Sequence, residues 1–153
     1  MGDTHLPRGA RRLPDECVRV LAGAELIVHV GDFVAVSVLA ELRELAGVEA
    51  VHGNMDAPDL RAMLPERSIV DAGGLRLGLV HDPGPRHGRY ERLRAWFPEC
   101  EAIIYGHTHW PEAALHEGVW IVNPGSPTER RRAPSHTMAV VRDRTPMLIE
   151  LAR

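Results

Sequence analysis

The chain has 153 residues, a formal net charge of −3, 44% hydrophobic residues and 25% charged residues, the make-up of one globular domain spanning residues 1–153 with a core of its own. That balance leaves no overall electrostatic footprint for nucleic acid or an anionic membrane. No apolar run approaches membrane-spanning length and the N-terminus lacks a signal-like apolar stretch, so a cytoplasmic protein is expected.

Residues 14–22 (PDECVRVLA) read as a short helix with Pro14 at an early position. Residues 25–30 (ELIVHV) are an apolar run ending at Gly31, a buried strand. In 35–46, Leu39, Leu42 and Ala46 share one helical face, and Gly47 is the expected C-terminal cap. A strand at 48–52 and a helix at 57–63 follow. Strands at 68–71 and 75–81 flank Gly73-Gly74, a hairpin signal. Residues 88–97 read as a helix and 101–105 (EAIIY) as a strand. Beyond them the pattern is β-rich, at 112–116, 119–122, 137–142 and 146–151. Alternating strands and helices followed by a run of strands indicate stacked sheets with helices outside. Trp96, Phe97, Trp110 and Trp120 are assigned to the core.

Some chemistries are excluded by absence. All 18 basic residues are arginine, so neither a Schiff-base lysine nor a phosphate-loop lysine exists. Cys17 and Cys100 form no C-x-x-C pair, which leaves them as buried free thiols rather than zinc ligands or a redox motif.

Nine histidines beside two phenylalanines and two tyrosines are the anomaly, and four of them, His5, His81, His107 and His109, fall in a pattern. Asp3-Thr4-His5 opens the chain. Gly31-Asp32, Gly53-Asn54-Met55-Asp56, His81-Asp82 and Gly106-His107-Thr108-His109 each end a predicted strand, where open α/β sheets bind ligands. His29, His116 and His136 fall outside the pattern and are assigned to surface or core roles. Asp3, His5, Asp32, Asn54, His81, His107 and His109 are too many ligands for one ion with an open position. They suit two ions about 3.5–4 Å apart, sharing a carboxylate. Imidazole and oxygen donors without thiolate suit Mn²⁺, Zn²⁺, Fe²⁺ and Ni²⁺ alike; Mn²⁺ is the favoured expectation.

The order D-x-H, G-D, G-N, lone His, G-H-x-H resembles that of the calcineurin-like metallophosphoesterases, over nearly the whole chain. The length and the Asn123-Pro124-Gly125-Ser126 segment resemble the small bacterial and archaeal phosphodiesterase branch, the YfcE-like group. The resemblance implies an α/β fold, a four-layer sandwich of two mixed β-sheets flanked by helices. It also implies roles: Asp3, His5 and His109 on a first metal, Asn54, His81 and His107 on a second, Asp32 bridging, and a hydroxide between the metals attacking the phosphorus of a small phosphate ester in line. Asn54 would also touch a phosphate oxygen. Arg130 is a candidate phosphate clamp, the Asn123–Thr128 turn a candidate anion seat, and His87 and Arg89 candidate substrate contacts.

Two departures from the family pattern stand out. Met55 occupies the position after Gly-Asn where many members carry a proton-donating histidine, a function commonly worth about 10²–10⁴ in rate. The small phosphodiesterase branch generally lacks that histidine, and His52 is a candidate substitute acid. Secondly, only Met1 and Gly2 precede Asp3, where the family has an apolar strand. The expectation is a truncated first strand that leaves Asp3 and His5 unanchored, with a misplaced start codon as the preferred explanation. Rival functions are a phosphomonoesterase and a scaffold of the same fold with weak or no activity. Intact ligands speak against the scaffold.

Overall fold

The computed structural model describes residues 1–152. In chain order the elements are α1 (Asp15–Ala22), β1 (Leu26–His29), α2 (Val36–Leu45), β2 (Gly47–Ala50), α3 (Pro58–Met63), β3 (Arg67–Ala72), β4 (Leu75–Val80), α4 (Arg89–Trp96), β5 (Ala102–Tyr105), β6 (Glu112–His116), β7 (Val119–Asn123), β8 (His136–Arg142) and β9 (Thr145–Leu151). Each element expected from the sequence is present within one or two residues at either end. One local expectation fails. Gly47 is the first residue of β2, and α2 ends on Ala46 in an extended conformation (φ −162°, ψ 176°). The chain leaves this helix directly into a strand, so no left-handed cap is needed.

The layers follow from which apolar faces meet. A five-stranded mixed sheet has the order β3-β4-β5-β7-β6, and two ribbons, β1-β2 parallel and β8-β9 antiparallel, lie over it. Leu77, Leu79, Ala102, Ile104 and Val122 of the large sheet pack against Val30 and Val51 from the ends of the first ribbon, with Ala139 and Val141 of β8. The alternate residues Val80, Ile103, Tyr105 and Ile121 face the other way, onto Leu93 of α4 and Phe97 after it. β5 is therefore buried on both faces, as its unbroken apolar run requires. Cys17 and Leu21 of α1, Leu39 and Leu42 of α2 and Leu60 of α3 cover the outer side of the ribbons. The result is the four-layer arrangement of helices, strands, strands and helix. Gly73 and Gly74, at φ 60° and 75°, make the β3–β4 hairpin, since both central residues of such a turn need positive φ. No helix among the described residues is long and apolar enough to cross a membrane.

The N-terminal residues are anchored, contrary to expectation. Met1 donates its α-amine to the Val28 carbonyl at 2.7 Å and accepts from Val30 N–H at 3.0 Å. Asp3 N–H and His5 N–H then reach the Gly31 and Asp32 carbonyls, both at 2.9 Å. Residues 1–5 thus run alongside β1 and the turn after it. That partner lies 27 residues away in sequence, and no local signal announces such pairing. Trp110 is also displaced from its expected place: it is 56% exposed, whereas Phe97 is buried.

Candidate metal centre

The parallel strands end at one edge, and the turns beyond them carry the seven candidate ligands. Five of these residues, Asp3, His5, Asp32, His107 and His109, have φ between 48° and 69°. Left-handed backbone costs a non-glycine residue about 1–3 kcal/mol and persists only where the surroundings over-determine it. Here packing does so. An added Cβ on Gly53 would lie 2.1 Å from Asp32 Oδ1, and one on Gly31 (φ 93°) would lie 2.6 Å from Gly53 N. The G-D and G-N turns touch, and only glycine fits between them.

Asp3, His5 and His109 bring one donor atom each within 4.8 Å of one another, and so do Asp3, Asp32 and His81. His5 Nε2 is 3.3 Å from His109 Nε2, and His109 Nε2 is 3.5 Å from Asp3 Oδ1. Asp32 Oδ2 lies 3.5 Å from His5 Nε2 and 3.4 Å from His81 Nε2, so one carboxylate oxygen faces both histidine sets. Asn54 Oδ1 completes the far side, 3.0 Å from His81 Nε2 and 3.2 Å from His107 Nδ1. Asp3, His5, Asp32, His81 and His109 are buried, His107 is half-buried and Asn54 is exposed. The cluster opens to solvent at its Asn54–His107 edge.

The surroundings set the tautomers and charges. His81 Nδ1 donates to the Val30 carbonyl at 2.8 Å, and His109 Nδ1 donates to the Glu129 carbonyl. Both rings therefore turn an unprotonated Nε2 inward, the arrangement a metal-binding imidazole needs. Burial pushes His109 down to about 4, with Arg131 assisting, and lowers His5. Burial also pushes the Asp3 carboxyl up to about 7. For Asp32, burial would raise the carboxyl, but the hydrogen bond and charge of His81 and the Met55 N–H outweigh it and hold it low. The same partnership with Asp32 and Asp3 overcomes burial to raise His81. Among the described residues no arginine pairs with Asp3 or Asp32; their ion-pair partners are imidazoles. Two buried carboxylates beside imidazole nitrogens, with no arginine to pair them, are a set of electron-pair donors once His81 gives up the proton that Asp32 and Asp3 favour. Divalent cations fit that set.

Several residues outside the predicted ligand set hold it together. Asp56 accepts the N–H groups of Asp32 (3.0 Å), Val34 (2.8 Å) and Gly53 (2.7 Å), tying the two glycine turns to one carboxylate. His29, assigned from sequence to a surface or core role, is fully buried, stacks on Phe33 at 3.6 Å, and accepts the Gly31 N–H at 3.1 Å. That bond leaves the proton on Nε2, which reaches Thr4 Oγ1 at 3.3 Å, and Thr4 Oγ1 lies 3.5 Å from the Asp32 carbonyl. His29 links the D-x-H and G-D segments. Burial drives its pKa well below the ordinary histidine value, so it serves as a neutral imidazole.

The Asn123–Ser126 segment is a brace rather than an anion seat. Gly125 N–H is taken by Asn123 Oδ1 at 2.9 Å, and Ser126 Oγ takes the Thr128 and Glu129 N–H groups while donating to the Asp3 carbonyl at 2.7 Å. Asn123 Nδ2 holds Gly106 O (3.2 Å) and Thr108 Oγ1 (2.9 Å) in the G-H-x-H turn. Arg130 folds back onto the Ala133 carbonyl at 2.6 Å. Its exposed neighbour Arg131 is the arginine whose charge is felt at Asp3, His5 and His109. His52 makes no hydrogen bond to the cluster; its N–H goes to Pro65 O and its Nδ1 is buried without a partner. Arg89 lies over the Tyr105 ring at 5.4 Å and reaches Gly84 O, while His87 contributes its carbonyl to Arg92.

The profile of the calcineurin-like phosphoesterase superfamily domain matches residues 1–145. The chain belongs to that superfamily. Among metallophosphoesterases, a Methanothermobacter thermautotrophicus protein named "Probable metallophosphoesterase" is 33% identical over 155 residues, covering 100% of this chain and 90% of its own length. Among solved structures, a single mutant of Vps29 from Entamoeba histolytica superposes with a TM-score of 0.76 at 22% identity, covering 99% of this chain and 96% of that one. Wild-type Vps29 of the same organism, solved with Zn²⁺, gives 0.71 at 25% identity over 98% of this chain and 83% of its own. These matches establish a metallophosphoesterase domain with candidate divalent-metal ligands and the calcineurin-like fold.

Proposed function

We propose that this chain is a phosphodiesterase that hydrolyses a small phosphate ester with two divalent cations, Mn²⁺ favoured. Asp3, His5 and His109 would hold one cation and Asn54, His81 and His107 the other, with Asp32 between them. The observation that carries this reading is Asp32 Oδ2, which contacts a histidine of each set at 3.4–3.5 Å. When bound, such a pair supplies Lewis acidity to phosphoryl oxygens and activates water for in-line attack on phosphorus.

The chain's own residues do the rest. The Val30 and Glu129 carbonyls fix the His81 and His109 rings. Asn54, exposed at the mouth, would donate its amide N–H to an entering phosphate oxygen. A diester suits this pocket better than a monoester on two counts. A diester carries one negative charge and a monoester nearly two at neutral pH, whereas Arg130 is engaged by Ala133 and only Arg131, with Arg8 at His5, extends its charge to the cluster. Met55 cannot donate a proton to a poor leaving group, and His52 makes no hydrogen bond to the cluster.

The test is turnover of bis(4-nitrophenyl) phosphate against 4-nitrophenyl phosphate, with Mn²⁺ and with chelator. The expected result is a kcat/KM at least about tenfold higher for the diester, abolished by chelator. A preference for the monoester overturns the diester assignment. Turnover indifferent to chelator overturns the metal reading.

A further inference from the structure

Six of the chain's 18 arginines fall in two short segments without a carboxylate, residues 8–12 and 130–132, although the chain as a whole has a net charge of −3. The fold brings these segments together beside the metal centre. The first begins directly after a candidate ligand, with Arg8 N–H on the His5 carbonyl at 3.1 Å. The second follows Thr128 and Glu129, which hold ligand segments in turn. The Thr128 hydroxyl donates to the Thr4 carbonyl at 2.5 Å, and the Glu129 carbonyl accepts from His109 Nδ1. Between the segments, Arg11 donates to Glu129 Oε2 at 3.3 Å, and that same oxygen lies 3.7 Å from His5 Nε2.

One carboxylate oxygen therefore separates Arg11 from a candidate ligand. Arg8, Arg11, Arg12, Arg131 and Arg132 are exposed. Of these five, only Arg11 has a side-chain hydrogen bond or ion pair among the described residues. A groove of about 570 Å³ opens off Arg11, lined also by Arg12, Arg19 and His136. Its acidic residues, Asp15 and Glu16, form the first turn of α1, where a helix N-terminus favours negative charge. Guanidiniums gathered on one face repel one another, a cost to the folded state that a bound anion removes. They lie beyond the ligand cluster, so that anion is not the group held on the cations.

We propose that these arginines form a second anion subsite, and that the preferred substrate is a phosphodiester bearing a further phosphate on one of its arms. The scissile phosphate would lie on the cations and the further phosphate against Arg11 and Arg12, with Arg131 from the second segment. A guanidinium presents five N–H donors in a fixed fork matched to phosphate oxygens, and Arg11 gives one of them to Glu129, which holds it beside the centre. The inference rests on the phosphodiesterase reading and deepens it by naming what the substrate carries.

The test compares the thymidine dinucleotide TpT with pTpT and TpTp, which add a terminal phosphate, and with base-free versions of all three, on the Mn²⁺-loaded full chain at low and high salt. The better of pTpT and TpTp should show a kcat/KM at least about tenfold above TpT. That advantage should shrink at high salt and survive removal of the bases, as a phosphate on any polyol arm would. Arg11→Gln combined with Arg12→Gln should bring the ratio to within about twofold of one, whereas Arg43→Gln, at an exposed position on α2, leaves it at its original value. Equal rates for the three dinucleotides overturn the subsite, as does a ratio untouched by the double substitution. An advantage lost with the bases overturns it too, since the bases would then be what is read. Calorimetry on the metal-free chain, where pTpT or TpTp should bind at least about tenfold more tightly than TpT, separates the subsite from the reaction. A chain that hydrolyses no diester yet shows this difference keeps the subsite and loses the hydrolytic reading. One that turns over bis(4-nitrophenyl) phosphate but shows no difference loses the subsite alone.

Discussion

Replacing Asp32 by asparagine is the sharpest perturbation of the proposed centre, because it changes one atom and a charge. Asp32 Oδ1 accepts the Met55 N–H at 2.8 Å, and an asparagine oxygen can keep that bond and the turn with it. The change falls on Oδ2, the atom 3.5 Å from His5 and 3.4 Å from His81. An NH₂ there presents hydrogens to nitrogens whose lone pairs are meant for metal, and one of two buried negative charges is lost. Breaking a buried charge set by removing one partner costs about 3–5 kcal/mol. At about 1.4 kcal/mol per tenfold, kcat/KM should fall by roughly 10² to a few thousand-fold. The assay is diester turnover together with metal per chain after dialysis, expected to fall from two to one or fewer. The thermal midpoint of the metal-free variant serves as the folding control. Retention of two metals with more than about a tenth of the activity would refute the bridging role.

Three further outcomes follow from the same geometry. Asp56→Ala strands the N–H groups of Asp32, Val34 and Gly53 and should cost about 3 kcal/mol or more, read as a lower urea midpoint at unchanged slope; a loss below about 1 kcal/mol would mean the turns hold themselves. His29→Leu leaves the Gly31 N–H and Thr4 hydroxyl without their partner and should cost about 1–3 kcal/mol while weakening metal retention; unchanged retention would confine His29 to the core. Metal binding should tighten as pH rises through about 7, because Asp3, raised from 3.8 to about 7, must release its proton to ligate. The sign in the metal-free protein is the reverse: stability contributed by Asp3 is present below about 4 and lost as pH climbs toward about 7. Calorimetry at several pH values, in buffers of different ionisation enthalpy, reads the proton release; affinity flat from pH 6 to 8 contradicts it.

The sequence made the ligands legible because each sits in a short motif at the end of an apolar run, so residue type and element order point the same way. The hairpin was legible because Gly73-Gly74 states its own backbone angles. The supports were not. Asp56 acts through backbone N–H groups 22 and 24 residues away, Ser126 through a carbonyl 123 residues away, and His29 through a threonine at the other end of a turn. Such bonds depend on which turns meet in space, and any residue type with an acceptor looks alike in a linear reading. The anchoring of Asp3 and His5 was missed for the same reason: a parallel ladder carries no local signature. Arg130 and Arg131 are identical in a run of three arginines, and only the fold separates them, by turning Arg130 back onto the Ala133 carbonyl while the charge of Arg131 is felt at the cluster.

The uneven burial of the cluster bears on how the protein would be handled. Asp3, His5 and His109 are buried, whereas Asn54 is exposed and His107 half-buried, so of the two proposed seats the Asn54–His107 one would exchange its ion with the medium more readily. The inner seat would keep whatever ion it met as the chain folded, while the outer one would track the surrounding medium. Dialysis against a second metal should therefore yield a mixed pair rather than full exchange, and the history of a preparation would be written in its inner ion.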